Sequence, residues 1–476
     1  MTAALPPGLR LVLDPAVRTY ADGRVLVGGA PGRILRLSEA GRAGLRALQA
    51  GSPCTPATRR LGRRLVDAGM AHPRPLPRAG AATDATIVIP VRDRAPELER
   101  CLAAAGREAS VIVVDDGSAD AAAVAAVCRR QGARLVVATS GAGPAAARNR
   151  ALLELETELV AFLDSDCQPA EGWIDALAGH FDDPLVAAVG ARIRPLGPAR
   201  PRRASVRERY DMARCTLDMG ERESDVGPGR RIAYLPTAAL LVRRSALATG
   251  FDPNLRYGED VDLLWRLCAA GWRVRYDPAV VVGHAEPDTW TGLLERRFRY
   301  GTSAAPLARR HPGRLPATVL RPRRALACGL ALAGRPVPAL AVIAASSAVL
   351  VRRLRGTGVP AIRAPGWAFG GAARTFAEMS RASTVLAGPA LLVVAARAPR
   401  ARLAVLALLA AGPLREWRRR RPPVDPVRWT LASFVDDCAY GAGVWRGCGR
   451  ERTMAPVRPS WHPNPSSVGQ TNSTKR

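Results

Sequence analysis

The sequence predicts an α/β fold in which a mostly parallel sheet is covered by helices, with a smaller module before it and a helical region after it. Between residues 84 and 310, continuous β-branched runs alternate with helical segments, which is the pattern of a sheet buried on both faces. Residues 1–75 contain short apolar runs followed by two helical segments, a layout typical of a winged-helix-like α+β module. Residues 311–454 are rich in Ala, Leu and Arg and favour helices.

The N-terminal module is predicted from its turn and cap residues. Asp22-Gly23 separates two short apolar runs and predicts a hairpin, and Ser38 is placed to cap a first helix. A second helix is expected from about Thr55 to Ala68. A module of this kind can recognise a peptide or only pack between domains, and both remain open. No basic recognition helix supports DNA binding, so no nucleic-acid partner is expected.

The central part of the chain is predicted as a series of strands, each followed by a helix. A linker rich in Pro, Gly and Ala, residues 76–83, precedes it. The predicted strands are Thr86–Val91, Val111–Val114, Leu135–Val137 and Val160–Leu163, and the helices between them are Pro96–Ala105, Ala121–Arg130 and the one carrying Arg148. Ligands bind beyond the carboxyl ends of the strands in such sheets. The residues that follow each strand are therefore the first candidates for a site.

Two aspartates, Asp164 and Asp166, follow the last of these strands one residue apart. Side chains at i and i+2 of a strand point the same way, and two close carboxylates repel unless a cation lies between them. Mg²⁺ or Mn²⁺ suits such a pair and often shares its ligands with phosphate oxygens, whereas the alternative is an ordinary surface turn. Three of the four strands end in polar residues of this kind: Arg92-Asp93, Asp115-Asp116, and Asp164 with Asp166. This repetition favours a metal and phosphate site over turn chemistry.

The second half of the domain adds further candidates. Glu259, Asp260 and Asp262 open a helix, where acidic residues also suit the helix dipole. Asp260 beside a metal and diphosphate would be well placed as a general base, whereas Asp262 can pair with Arg266 four residues later. His284 ends another predicted strand and is a candidate metal ligand. Arg148 can brace a diphosphate or be an ordinary exposed arginine.

Together these motifs resemble the family-2 glycosyltransferases of the GT-A fold. The matching motifs are Ile89-Pro90-Val91-Arg92-Asp93, Val114-Asp115-Asp116-Gly117-Ser118, Ala147-Arg148-Asn149, Phe162-Leu163-Asp164-Ser165-Asp166 and Gly258-Glu259-Asp260-Val261-Asp262. The resemblance implies that Asp164 and Asp166, with His284 as a candidate third ligand, hold Mg²⁺ or Mn²⁺ on a nucleotide-sugar diphosphate. It implies that Asp260 is the catalytic base of an inverting displacement. The implied nucleotide-sugar contacts are Pro90, Arg92, Asp93, Asp115, Asp116, Arg148, Asp164 and Glu259.

Two further stretches are similar to the glycosyltransferases of the mycofactocin pathway. They run from Arg24 to Ser38 and from Arg296 to Ser303. That resemblance implies the addition of β-1,4-linked glucose from UDP-glucose to a peptide-derived redox cofactor, and a role for the N-terminal module in recognising this acceptor. Transfer of another sugar to a lipid or cell-wall polysaccharide is the alternative within the class. A non-catalytic peptide-binding module is the alternative outside it.

Charge and cysteine content bear on partners and compartment. The net charge of +29 comes mostly from Arg, and it suits an anionic partner or a GC-rich genome that encodes Arg and Ala often. Nine cysteines without a CxxC pair favour a reducing compartment. The N-terminus lacks the pattern of a signal sequence, so the expected location is cytoplasmic and not secreted.

The C-terminal third carries apolar stretches flanked by arginines. These stretches are residues 325–350, 383–396 and 403–414, and a spanning helix needs about 20 apolar residues. The arginine-rich flanks favour association with the inner face of the cell membrane over an Ala-rich soluble helical domain. Arg296, Arg297 and Arg299 can bind a diphosphate or the acceptor, or form a solvated face. The tail, residues 455–476, is polar and rich in Pro and Ser, and is expected to be disordered.

Overall fold

The structure is a computed structural model that describes residues 4–106, 109–138, 141–197 and 203–461. The chain divides into two compact units. Unit 1 comprises Met1–Thr19, Leu26–Arg203 and Arg214–Pro287, and unit 2 comprises Tyr20–Val25, Ala204–Ala213 and Asp288–Arg476. The predicted domain boundaries at residues 75, 84, 310 and 454 stay predictions.

Strands and helices alternate through unit 1, and helices dominate unit 2. The strands of the described residues are β1 (Arg10–Leu13), β2 (Arg18–Tyr20), β3 (Val25–Gly28), β4 (Arg33–Arg36), β5 (Ala71–Arg74), β6 (Ala85–Val91), β7 (Ser110–Asp115), β8 (Arg134–Val137), β9 (Leu159–Leu163), β10 (Cys167–Pro169), β11 (Val186–Pro195), β12 (Ser224–Val226), β13 (Ala239–Arg243), β14 (Arg273–His284), β15 (Val319–Leu320) and β16 (Ser460–Trp461). The helices are α1 (Glu39–Gln49), α2 (Arg59–Asp67), α3 (Ala95–Ala105), α4 (Ala121–Gln131), α5 (Pro144–Leu152), α6 (Trp173–Ala178), α7 (Val206–Arg214), α8 (Glu259–Ala269), α9 (Trp290–Thr302), α10 (Ala304–Arg310), α11 (Pro322–Leu332), α12 (Pro336–Leu354), α13 (Arg363–Arg397), α14 (Pro399–Arg420) and α15 (Pro426–Glu451).

A mixed, mostly parallel sheet of nine strands forms the centre of unit 1. Its order is β10-β14-β11-β13-β9-β6-β7-β8, with β12 beside β14. Strands β8, β7, β6 and β9 are parallel neighbours, β13 is antiparallel to β9 and β11, and β14 is parallel to β11. This sheet and the helical C-terminal region confirm the predicted α/β fold class. The continuous apolar run of β6 is explained by two cores, because Ile87 and Ile89 face one of them and Val88 faces the other.

The sheet places its polar strand ends side by side. Because β7, β6 and β9 are adjacent and parallel, the residues that follow them emerge at the same edge. Arg92, Asp116 and Asp164 each follow one of these strands. The predicted convergence of polar groups at the carboxyl edge is therefore present in the sheet itself.

The N-terminal module has its own small core. Strands β1 and β5 pair, β2, β3 and β4 form a second sheet, and leucines such as Leu26, Leu45 and Leu65 are buried together with residues of α1 and α2. The Ser38 hydroxyl accepts a hydrogen bond from the Gly41 N–H at 3.2 Å, so the predicted N-cap is confirmed. The second helix begins at residue 59 rather than 55, because Thr55 and Thr58 form a turn closed by their own hydrogen bonds.

Ion pairs attach this module to the rest of unit 1. Arg63 and Asp183 are both buried and pair at 2.8 Å, and Asp67 pairs with Arg273 of β14 at 2.7 Å. The predicted linker lies against α6, where the Asp175 carboxylate accepts the N–H groups of Gly80 and Ala82. A pair of buried charges requires good geometry to offset the loss of hydration. These specific contacts lie within unit 1, which contains the module except Tyr20–Val25.

In unit 2, a buried polar cluster joins three helices. Arg297 of α9 pairs with Asp436 of α15, and the Tyr210 hydroxyl of α7 donates to the same carboxylate at 3.0 Å. Arg297 is buried, so it stabilises the helix packing and neither lies on a solvated face nor binds an anionic ligand at the surface. Arg299 is exposed and pairs with Glu295 one turn earlier, as a solvated face requires.

The C-terminal apolar stretches form long helices. The stretch from residue 325 to 350 lies in two helices, α11 and α12, because the helical backbone is interrupted around Gly334-Arg335. Helix α12 has 19 residues and α13 has 35, and both are long and apolar enough to cross a membrane. Helix α13 bends at Ala387, two residues before Pro389. Of the tail predicted to be disordered, Ala455–Val457 form a short 3-10 helix and residues 460–461 form β16 beside β15. Residues 462–476 lie outside the described residues.

Candidate active site

A buried arginine connects the two acidic motifs. Arg148 lies on α5 and is only 3% exposed. Its guanidinium donates to Oδ1 of Asp164 and to Oε1 of Glu259, both at 2.8 Å, and lies 5.5 Å from the centroid of the Phe251 ring. The contact joins the end of β9 to the start of α8. The alternative of an ordinary exposed arginine is therefore wrong for Arg148.

Asp260 lies next to this cluster, in the first turn of α8. Gly258, with φ +82°, turns the chain into the helix, and the Val261 N–H donates to Oδ1 of Asp260 at 2.7 Å. Burial, together with the negative charges of Glu259 and Asp164, raises the pKa of Asp260 to about 7, although Arg148 partly offsets the rise. A carboxyl group with a pKa near 7 can accept a proton near neutral pH and is suited to general-base chemistry.

Asp164 and Asp166 are positioned by the neighbouring strands. The Asp164 N–H donates to the Ala238 carbonyl just before β13, and the Ala285 N–H just after β14 donates to the Asp166 carbonyl. Nε2 of His284 lies 3.5 Å from Oδ1 of Asp166. The structure therefore brings the three predicted metal ligands to one corner of the sheet.

The donor chemistry of this corner fits a divalent cation. Carboxylate oxygens suit Mg²⁺ and Mn²⁺, and an imidazole nitrogen is also a ligand that Mn²⁺ accepts. Among the described residues, no three His, Cys, Asp or Glu side chains are already gathered closely enough to hold a metal ion. Each of the two aspartates is instead paired with an arginine. Arg148 holds Asp164 and Arg94 holds Asp166. A cation bound to Asp166 would replace a guanidinium contact.

The other predicted binding residues form a second group around the loops after β6 and β7. The carboxylate of Asp115 accepts both the N–H and the hydroxyl of Ser118, at 2.9 and 2.6 Å. The Asp93 N–H donates to the same Ser118 hydroxyl oxygen, and the Asp93 carboxylate accepts the Ala119 N–H. Asp93 adopts a left-handed backbone, with φ +56°. Asp115 and Asp93 therefore hold the two loops together through Ser118 and Ala119.

Asp116 presents an unsatisfied acceptor in this group. It is 5% exposed, and its Oδ2 accepts the Gly143 N–H at the start of α5 at 2.9 Å. Its Oδ1 is buried and has no hydrogen-bond partner in the structure. A buried acceptor without a donor is costly, so a ligand N–H or hydroxyl would stabilise this atom. The Arg92 guanidinium lies beside Gly141, where a Cβ atom would come within 2.8 Å of it.

The predicted residues thus form two groups joined by one helix. Arg148, Asp164, Asp166, Glu259, Asp260 and His284 form the acidic group, and Pro90, Arg92, Asp93, Asp115 and Asp116 form the loop group around the ends of β6 and β7. The N-terminus of α5 contacts Asp116, and Arg148 of the same helix contacts Asp164. Pro90 lies within β6, opposite Val114.

Sequence reasoning missed two residues of this site. Arg94 pairs with Asp166, and Glu286 lies 3.2 Å from Nδ1 of His284. Glu286 follows His284 by two residues, a spacing that keeps side chains on one side of an extended chain and could have indicated it. Arg94 is one of two arginines in Arg92-Asp93-Arg94, and nothing in the local sequence shows which of them reaches Asp166.

The parallel sheet and its acidic edge define the class of protein. A model of the family described as glycosyl transferase family 2 matches residues 86–250, from β6 to just beyond β13. The pre-mycofactocin glycosyltransferase of Mycobacterium tuberculosis (strain ATCC 25618 / H37Rv) is 38% identical over 476 residues, covering 96% of this chain and 99% of the relative. The chain belongs to the pre-mycofactocin glycosyltransferase family, within glycosyl transferase family 2. It is an enzyme that uses a sugar donor and an acceptor.

More distant relatives match a smaller part of the chain. The N-acetylglucosaminyl-diphospho-decaprenol L-rhamnosyltransferase of M. tuberculosis (strain ATCC 25618 / H37Rv) is 33% identical over 223 residues, covering 40% of this chain and 72% of the relative. Among solved structures, a mannosyltransferase from Pyrobaculum calidifontis in complex with GDP-Man and Mn²⁺ is 21% identical. That match covers 71% of this chain and 89% of the mannosyltransferase, with a TM-score of 0.39. The family model and the relative that matches nearly the whole chain confirm the resemblance to family-2 glycosyltransferases stated from the motifs.

Proposed function

We propose that this enzyme transfers glucose from UDP-glucose, with inversion and with the help of a divalent cation, onto a peptide-derived mycofactocin precursor as β-1,4-linked units. The proposal depends above all on the cluster in which Arg148 joins Asp164 to Glu259 beside Asp260. This arrangement supports a general base next to a site for a charged leaving group. The mycofactocin precursor as acceptor is supported by the name of the relative that matches nearly the whole chain, whereas UDP-glucose as donor comes from the resemblance stated from the sequence.

The chain's own residues would carry the proton and orient the donor. Asp260 accepts the proton of the acceptor hydroxyl, the acceptor oxygen bonds to the anomeric carbon, and the bond from that carbon to the diphosphate oxygen breaks. Arg148 keeps Asp164 and Glu259 in place during this displacement. Asp164, Asp166 and His284 would hold the divalent cation. When bound, the cation neutralises charge on the departing diphosphate.

The loop group would bind the nucleotide. Oδ1 of Asp116, which has no partner in the structure, would accept a hydrogen bond from the base or ribose of the donor. Asp93 and Asp115 hold the surrounding loops at fixed positions through Ser118. Pro90 and Arg92 lie at the same edge and would contact the nucleotide.

The acceptor and the location of the enzyme are also part of the proposal. The relative that suggests the peptide-derived acceptor matches the N-terminal module as well, which supports a role for this module in acceptor recognition. Helices α12 and α13, flanked by arginines, support attachment to the inner face of the cell membrane. These same helices favour one second candidate function, the transfer of another sugar to a lipid or cell-wall acceptor.

The test is a panel of UDP- and GDP-sugars with Mn²⁺, scored by nucleotide release in the presence of the peptide-derived acceptor or of membrane lipid. We expect release with UDP-glucose and the peptide-derived acceptor, and we expect Asp166→Ala to abolish the part that depends on Mn²⁺. Glu97→Ala, which removes an acid paired with Arg100 on α3, is the matched control and should keep activity. Release only with lipid would favour the second candidate, and undiminished metal-dependent release by Asp166→Ala would contradict the metal site.

A second prediction concerns pH. Because burial and neighbouring negative charge raise the pKa of Asp260 to about 7, the carboxyl is protonated below that pH and cannot act as a base. We expect kcat/KM for the acceptor, at saturating donor, to fall about tenfold per pH unit below 7 and to level off above it. The profile should be recorded between pH 5.5 and 9 in buffers that do not bind Mn²⁺. A flat profile down to pH 5.5 would assign the proton transfer to another group.

A further inference from the structure

The two aspartates of the candidate metal site are paired with arginines that are held very differently. Arg148 is 3% exposed, makes two hydrogen bonds at 2.8 Å and contacts the Phe251 ring. The Arg94 side chain is 54% exposed, and its guanidinium forms an ion pair with Oδ2 of Asp166. The Asp166 side chain itself is only 12% exposed. One guanidinium is thus fixed in the protein, whereas the other reaches an enclosed carboxylate from the solvent side.

The backbone explains why Arg94 reaches Asp166. Asp93, with its left-handed φ of +56°, lies between Arg92 and Arg94 and turns the chain at the end of β6. Arg92 then lies beside Gly141, and Arg94, the N-cap residue of α3, contacts Asp166. A non-glycine residue in this conformation is strained and persists because the surrounding contacts of Asp93 hold it. The position of Arg94 is therefore set by the same loop that would surround the nucleotide.

We propose that Arg94 is a displaceable counter-ion of the metal site. Without a cation, its guanidinium neutralises Asp166; when a divalent cation and a nucleoside diphosphate bind together, it leaves Asp166 and pairs with the diphosphate. This inference rests on the proposed function, because it takes Asp166 as a metal ligand. The Arg94 side chain is exposed and has about four rotatable bonds, so it can move away from Asp166. A guanidinium binds phosphate oxygens as well as carboxylates.

The exchange would couple the cation to the nucleotide. A cation that binds alone must displace Arg94 from Asp166, and the displaced guanidinium then has no anionic partner at the site. A cation that binds with a diphosphate supplies that partner, so each ligand should increase the affinity for the other. The enclosed carboxylate is never left unpaired in either state, which avoids the cost of a buried charge without a partner.

The test is the affinity for Mn²⁺, measured by electron paramagnetic resonance of the free ion on the full-length protein, with and without UDP. Arg94→Ala should bind Mn²⁺ roughly three- to tenfold more tightly than the unmodified protein in the absence of UDP, because a competing ion pair is gone. The increase in Mn²⁺ affinity caused by UDP should shrink in the same variant. Arg100→Ala is the matched control, because Arg100 is also 54% exposed, lies on α3 and pairs with Glu97.

The possible outcomes distinguish a failure of the role proposed for Arg94 from a failure of the metal site itself. Equal or weaker Mn²⁺ binding by Arg94→Ala, with Arg100→Ala unchanged, would overturn the role of Arg94 while leaving the metal site intact. Undiminished Mn²⁺ binding by Asp166→Ala would overturn the metal site itself. If the unmodified protein binds Mn²⁺ only with UDP, Arg94→Ala should gain binding without UDP. Arg94→Lys keeps a cation at the position and should return the affinity toward that of the unmodified protein. Arg94→Met keeps the length without the charge, and an affinity as low as that of the unmodified protein in this variant would indicate a steric role and overturn the counter-ion role.

Discussion

Replacing Asp260 by Asn is expected to lower kcat by roughly 10²–10⁴, the usual contribution of a general base. The amide has nearly the shape of the carboxylate, and its oxygen can still accept the Val261 N–H. It cannot accept a proton from the acceptor hydroxyl. Because the donor-binding residues are unchanged, KM for the nucleotide sugar should move little. The measurement is steady-state nucleotide release at saturating donor and acceptor, at pH 8.

The stability of the same variant distinguishes a lost base from a lost fold. The pKa of Asp260 is raised in the folded state, so its stabilising contribution is present below pH 4 and is lost as the pH rises toward about 7. Above pH 7 the ionised carboxylate lies beside Glu259 and Asp164, and Asn removes this repulsion. Asp260→Asn should therefore unfold at the same or a higher temperature at pH 8. Activity within threefold of the unmodified enzyme would rule out Asp260 as the base.

Replacing Arg148 by Ala is expected to lower the free energy of unfolding of unit 1 by about 3–5 kcal/mol, as the loss of one partner from a buried ion pair does. The change leaves Asp164 and Glu259 without their shared guanidinium. It also removes the positive charge that holds down the pKa of Asp260, so that pKa should rise further. Activity near neutral pH should be lost even where the protein stays folded. Urea unfolding and nucleotide release are the two measurements.

Arg150→Ala is the matched control for this prediction. Arg150 lies two residues further along α5, its side chain is 46% exposed, and it pairs with Glu154 at 3.1 Å. An exposed pair of this kind contributes about 0–1 kcal/mol. Arg148→Lys should recover only part of the stability, because an ammonium cannot bridge two carboxylates in the way a planar guanidinium does. An equal loss of free energy of unfolding in Arg148→Ala and Arg150→Ala would show that the buried ion pairs of Arg148 stabilise the fold no more than an exposed pair does.

Much of the fold could be predicted because its signals are local. The β-branched runs of β6, β7 and β9, the Ser38 cap and the acidic start of α8 all depend on neighbours within a few residues. Where prediction failed, the deciding contact came from elsewhere in the chain. The sequence predicts that Arg297 binds an anion or lies on a solvated face, but Arg297 is buried and its partner Asp436 lies 139 residues further along the chain. No local pattern carries that information.

In the candidate site, too, local patterns could be predicted, whereas contacts between distant segments could not. Strand periodicity places Asp93, Asp116 and Asp164 after strands of a parallel sheet, so their convergence at its carboxyl edge could be predicted from the sequence alone. The sequence also determined that the chain is an α/β glycosyltransferase with its acidic motifs in this order. Only the tertiary structure decided that Arg148 is buried between Asp164 and Glu259, 111 residues further on, and that Arg94 rather than Arg92 reaches Asp166. Side-chain pairing depends on which segments the fold brings together, whereas strand and helix positions depend mainly on spacing along the chain.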